Sequence, residues 1–258
     1  LISLEEFRDS LCPQYGITKD SIVILTGPTA APQGRLGFLL RSLGVKTYAM
    51  TGALTAWEYN GYDLDTDEST LVVPTSVESF GTDTISNPDE ILWTDDVKKI
   101  LSGEVDGQVA DNRGESNWKG EESGYSYHDL AGRIDGTIWC AEDGEDGDQF
   151  MNVDFTARTK EEYVSYMKDC GLDTDKLTAF FCGDSWGAAK IAYWCQSTGM
   201  DNIKEWGTGW IPWSNEGNEF IDHKGRKVHY DKYSDAVVDE NGKDVSDGVN
   251  ILADEKVK

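Results

Sequence analysis

The stretch "AFFCGDSWGAAKIAYW", Ala179 to Trp194, sets a thiol at a strand-to-helix turn: an apolar run stops at Cys182, and a helix-like pattern begins near Gly187. A thiolate at such a mouth is a nucleophile, provided the site lowers a pKa that is ~8.5 when unperturbed. Successive backbone N–H groups of a tight loop, together with a helix N-terminus, stabilise an anion there. Glycines at 183 and 187 let the backbone approach a bound sulfur. The chemistry this suits is nucleophilic, with the Cys182 thiolate as the attacking atom. A buried structural cysteine at a strand end is the bland alternative. Asp184 works against the thiolate, since a neighbouring carboxylate raises a thiol pKa. Arg133 and Arg158 are the candidates to bring positive charge near Cys182. Trp186, the one large side chain of the loop, is expected to wedge the turn or to line a pocket.

These residues need a scaffold, and the sequence has an α/β rhythm. Ser3 to Leu11 reads as a helix capped by Ser3, "SIVILTG" (Ser21 to Gly27) as a buried strand, and "GRLGFLLRSLG" as a helix closed by Gly44. "VKTYAM" is a strand and "TGALTAWEYNGY" a short helix. An acidic, proline-containing stretch intervenes. The rhythm restarts with a helix capped by Thr94, then "GQVADNR" and "GTIWC" as strands and Thr159 to Gly171 as a helix. "LTAFFCG" is a buried strand, "WGAAKIAYWCQSTG" a helix and "IKEW" a strand. Gly27 to Trp57 matches Cys182 to Trp213 in element order, so a tandem repeat is the simplest account. Alternation of this kind implies parallel pairing with helices on both faces.

The formal net charge is -25, which excludes nucleic acid and anionic membrane surfaces as partners and opposes anionic substrates at long range. No stretch approaches the ~20 apolar residues that span a bilayer. The chain begins with Leu1, which reads as a fragment or a processed product. Its five cysteines are scattered without metal-type spacing, so no metal, cofactor or disulfide framework is implied. The acidic run Glu142 to Asp148 reads as a solvated loop and does not fit a calcium-loop pattern. His128, His223 and His229 have no partner spacing and are assigned to packing or surface roles.

"VADNRGESNWKGEESGYSYHDLAGRIDGTIW" and "FFCGDSWGAAKIAYWCQSTGMDNIKEWGTGWIPW" resemble the front and back halves of a rhodanese, the sulfurtransferase family, and in particular its tandem bacterial members. The resemblance implies a three-layer α/β/α fold with a parallel central sheet, the first repeat being truncated at its N-terminal side. Residues 1–70 are then the partial, inactive first repeat, with Gly27-Pro28 where a cysteine would stand. Residues 71–90 are a linker, 91–222 the catalytic-type domain and 223–258 an acidic extension. The implied activity moves sulfane sulfur from thiosulfate or a persulfide to a thiophilic acceptor, a thiol or cyanide, through a cysteine persulfide on Cys182; a degenerate, non-catalytic binding or sulfur-carrier module is the alternative. The loop is Gly183, Asp184, Ser185, Trp186 and Gly187, with Gly187 where the family has arginine. Related phosphatases use a longer loop ending in that arginine, so phosphatase activity is disfavoured. Asp111 and Arg113 match the family's D-x-R pair beneath the loop. The missing half of the first repeat is an implied partner, and lipoprotein-type relatives imply a place outside the cytoplasmic membrane.

Overall fold

A computed structural model describes residues 2–144 and 147–247. The chain enters through α1 (Leu4–Glu6), where Ser3 accepts the Glu6 N–H, and runs through a π-helical Phe7–Leu11 into α2 (Cys12–Gln14). Strand β1 (Ile22–Leu25), helix α3 (Ala30–Ser42), strand β2 (Lys46–Ala49) and helix α4 (Ala53–Tyr59) follow, with β1 and β2 paired in parallel. Leu25 packs with Leu40, Leu43 and Val45, and Phe80 returns from the 71–90 stretch into the same cluster. The other face of β1 is open, with Ile22 65% and Ile24 73% exposed. This corrects the expectation of a buried strand: among the described residues no helical layer covers that side.

The second unit contains β3 (Ile91–Leu92), α5 (Thr94–Leu101), β4 (Gly107–Asp111), α6 (Glu115–Lys119) and β5 (Ile138–Trp139). A hairpin of β6 (Asp143–Gly144) and β7 (Gly147–Asp148) precedes α7 (Lys160–Asp169), β8 (Leu177–Phe181), α8 (Trp186–Ser197), β9 (Ile203–Trp206) and α9 (Trp210–Asn215). The five main strands form one parallel sheet in the order β3-β9-β8-β4-β5. Central β8 is buried from Thr178 to Phe181, as both-sided covering of a parallel sheet requires. Phe180 joins Ala110 and Ile191 in the core on one face. Ala179 and Phe181 join Trp206 and Trp210 on the other. The fold is therefore the expected three-layer α/β/α arrangement. Thr159 and Glu162 form a capping box at the start of α7. Thr94 is not the cap of α5; it is the first helical residue, Trp93 precedes it with its N–H bonded to Asp96, and the Thr94 hydroxyl meets Thr208. The tail adds an antiparallel sheet of β10 (Phe220–Ile221), β11 (Lys227–Asp231) and β12 (Ala236–Asp239), tied to the second unit by reciprocal backbone bonds between Arg133 and Ile221.

The two units meet where α3 lies along α8. A Cβ on Gly34 would sit 2.5 Å from the Ala189 backbone, so only glycine permits this helix approach. One residue on, the Arg35 guanidinium pairs with Glu205 and donates to the Gly207 carbonyl at 2.6 Å. Glu205 is fully buried, and burial pushes its pKa up to about 7 although Arg35 opposes the shift. Arg35→Met strands that carboxyl and is expected to cost ~3–5 kcal/mol of stability. A pKa raised on folding contributes stability below the ordinary value of 4.5 and loses it as pH rises through about 7. Without Arg35 the folded carboxyl's pKa is higher still, so the deficit of Arg35→Met, read from urea unfolding, should widen as pH rises above about 7, where the parent carboxyl ionises beside Arg35. A pH-independent deficit would rule out Glu205 as its source.

Candidate active site

Cys182 follows the last residue of β8, at the carboxyl edge of the parallel sheet where α/β folds place their ligands. Ser185 takes the left-handed conformation, with φ 68°, and its buried Oγ donates to the Trp206 carbonyl at 2.5 Å. That single left-handed residue turns the chain into α8, so that the N–H groups of Gly187 and Ala188 point at the Cys182 sulfur. From the other side the start of α9 holds the loop: Trp210 N–H donates to the Cys182 carbonyl at 2.9 Å and Ile211 N–H to the Gly183 carbonyl at 2.8 Å. Gly183 N–H donates to the Tyr125 oxygen, and any Cβ on Gly183 would overlap that ring. Beyond it, Tyr127 donates to Asp184 at 3.3 Å.

Electrostatically the site is acidic. Burial pushes the partly exposed Cys182 thiol above its ordinary value, the Ala188 and Gly187 N–H groups oppose this, and the Glu142 and Asp184 carboxylates reinforce it. The converging N–H groups expected from sequence are present, but they are outweighed. Arg133 does not supply the missing charge: its guanidinium lies 5.2 Å from the Trp118 ring centroid. Arg158 pairs with Glu162 at 3.5 Å. Trp186 is 46% exposed and stands out from the turn rather than wedging it. Asp111 and Arg113 form a buried pair, Arg113 NH2 reaching the carboxylate at 2.7 Å, and the guanidinium lies 4.6 Å over the Trp210 ring that backs the loop. His128 is buried against Ser214 and burial lowers its pKa to about 4, so it is neutral near pH 7.

No family model matches the chain. Over 215 residues it is 24% identical to the thiosulfate sulfurtransferase YnjE of Escherichia coli K12, which covers 82% of this chain and 49% of that protein. Wild-type EanB superposes with a TM-score of 0.75 at 26% identity, over 86% of this chain and 55% of EanB. The fold is rhodanese-like. The anaerobic ergothioneine biosynthesis enzyme of Chlorobium limicola, solved with its natural substrate trimethyl histidine, superposes with a TM-score of 0.74 at 26% identity, over 83% of this chain and 53% of that one. This rhodanese-like chain spans about half the length of these relatives.

Two residues of the rhodanese-like site escaped the sequence reading. Glu142 was assigned to a solvated acidic run, yet its carboxylate pairs with Lys190, faces the Asn112 amide and fills the space beside Gly187. Lys190 is 5% exposed on the inner side of α8. A lysine inside a run as apolar as Ala188 to Cys195 demands a carboxylate partner, and that was the available signal. Asp143 to Asp148 of the acidic run lie wholly or partly outside the described residues, and among the described residues no cluster suits a metal ion. Because two carboxylates hold the thiol up, Glu142→Gln and Asp184→Asn should each shift the pH profile of Cys182 alkylation by iodoacetamide towards lower pH. Profiles that coincide with the parent would show that neither charge reaches the sulfur.

Proposed function

We propose that the chain is a sulfurtransferase working through a Cys182 persulfide. The observation that carries this reading is the pair of backbone N–H groups, from Gly187 and Ala188, converging on a partly exposed sulfur at the carboxyl end of β8. The thiolate attacks the outer sulfur of a sulfane donor; the donor's S–S bond breaks and its electron pair leaves on the thiolate or sulfite released. The acceptor then attacks the outer sulfur on Cys182 and returns the cysteine thiolate. Two carboxylates beside the sulfur disfavour a dianionic donor such as thiosulfate and suit persulfide or polysulfide donors of lower charge. The same carboxylates, with the raised thiol pKa, support a second reading in which the module binds without turnover. Intact mass after treatment with polysulfide separates the two: one added sulfur, lost on adding a thiol or cyanide, supports transfer, and an unchanged mass supports the binding module. In this reading residues 91–222 carry the reaction and residues 1–70 brace α8. A front-half segment like that of the second unit would cover Ile22 and Ile24.

A further inference from the structure

We propose that Cys140 and Cys170 form a redox-active dithiol, a modification site separate from Cys182, which closes to a disulfide by exchange with low-molecular-weight disulfides. Cys140 follows β5 with its N–H on the Asp111 carbonyl at 2.9 Å, and it is fully buried. Cys170 caps the C-terminus of α7 with its N–H on the Tyr166 carbonyl at 3.0 Å, and it is half-buried. Tertiary contacts bring the two together. The Tyr166 hydroxyl donates to the Ala141 carbonyl at 2.9 Å, which pins one face of α7 to the residue after Cys140. Cys170 lies one helical turn beyond Tyr166, on that same face. There the Cys140 S–H donates to the Cys170 sulfur, within the core cluster that holds Phe150 and Tyr163.

The two members of the pair are unequal in the way that exchange requires. Cys140 is sealed from solvent, and burial pushes its thiol up, so it keeps its proton. The hydrogen bond from Cys140, joined by one from Tyr166, holds the Cys170 thiol below its ordinary value. Cys170 is therefore the attacking thiolate and Cys140 the resolving thiol. The Cys170 thiolate attacks one sulfur of the donor; the donor's S–S bond breaks, and its electron pair leaves on the first small thiolate. Cys140 then attacks the Cys170 sulfur of this mixed disulfide, its proton passes to solvent, and the second small thiolate leaves. The two protein thiols lose two electrons, and the donor is reduced to two thiols. Gly171 follows Cys170 with open space around it, so the end of α7 has room for the rotation that bond formation needs. Cys195 shares the cluster, but it is buried and its thiol is pushed up; Cys12 belongs to the first unit's core. None of this depends on sulfur transfer at Cys182.

Glutathione disulfide is the probe. The folded Cys182→Ser chain, which lacks the loop thiol, is incubated with it near pH 8, quenched in acid, unfolded and alkylated. Peptide mapping is expected to show a Cys140–Cys170 disulfide with Cys12 and Cys195 alkylated, and dithiothreitol should return both thiols. Cys140→Ala removes the resolving thiol and should leave glutathione on Cys170. Cys170→Ser should slow the loss of the Cys140 thiol at least about a hundredfold, because a sealed thiol reacts only through local opening. Cys140 and Cys170 both still alkylated after oxidation would overturn the proposal. So would a disulfide that includes Cys195, or glutathione that stays on Cys170 while Cys140 is present. These three outcomes are read on the chain with both cysteines intact, so they decide the matter even where Cys140→Ala fails to fold.

Discussion

Cys182→Ser is expected to abolish sulfur transfer from every donor, by on the order of 10⁴-fold or more, because a serine hydroxyl cannot hold a sulfane sulfur. The substitution should leave the fold intact. A hydroxyl oxygen can accept the same Gly187 and Ala188 N–H groups, and the loop is held by backbone bonds from Trp210 and Ile211 that do not involve the side chain. Steady-state transfer to cyanide, compared at matched circular dichroism, measures the effect. Transfer surviving in the serine variant would point to another thiol. Cys140 and Cys170 are the pair to examine then, since their thiols hydrogen-bond each other in the same core. Cys12 and Cys195 are buried, and burial pushes both thiols up, Cys12 to about 11.

The alternation of strands and helices was legible because it rests on local signals. Apolar runs, glycine stops and the Thr159–Glu162 capping box each act within a few residues. The strand, thiol, turn and helix around Cys182 were legible for the same reason. What the sequence could not convey depends on distant contacts. "SIVIL" is equally apolar whether one face or two are covered, so the exposure of Ile22 and Ile24 appears only once the layers are placed. Arg133 looked available to the loop, but its place was decided by Trp118 and by the backbone bonds to Ile221 in the tail. Glu142 is the sharpest case. Its neighbours in sequence are acids and glycines typical of a solvated turn, whereas its neighbours in space are Lys190 and the catalytic-type loop. Charge runs report solvation on average; a single member drawn inward by a buried lysine is invisible to that average.

That placement changes what an arginine at position 187 should do. From the sequence, Gly187→Arg alone restores the cation that the family carries and raises thiosulfate turnover. In the structure a side chain at 187 meets Glu142 Oε2 immediately. A guanidinium there would pair with Glu142, the two charges would cancel near the sulfur, and the single variant should gain little. Glu142→Gln together with Gly187→Arg removes the competitor and leaves the guanidinium facing a bound anion. A charge-assisted hydrogen bond of ~1.5–3 kcal/mol then corresponds to roughly ten- to a hundredfold in rate. Asp184→Thr should add in the same direction by removing the second carboxylate that acts on the thiol. The glutamine amide oxygen can still accept from Lys190, which limits the stability loss, and melting temperatures of all variants check this. Steady-state thiosulfate-to-cyanide rates for the parent, both singles and the double variant form a complete cycle. A gain confined to the double variant identifies Glu142 as the group that sets donor charge. Equal gains in Gly187→Arg and in the double variant would show that Glu142 does not oppose the arginine. No gain in the double variant, with persulfide formation from polysulfide intact, would mean that the loop rejects dianions by its shape and not by its charge.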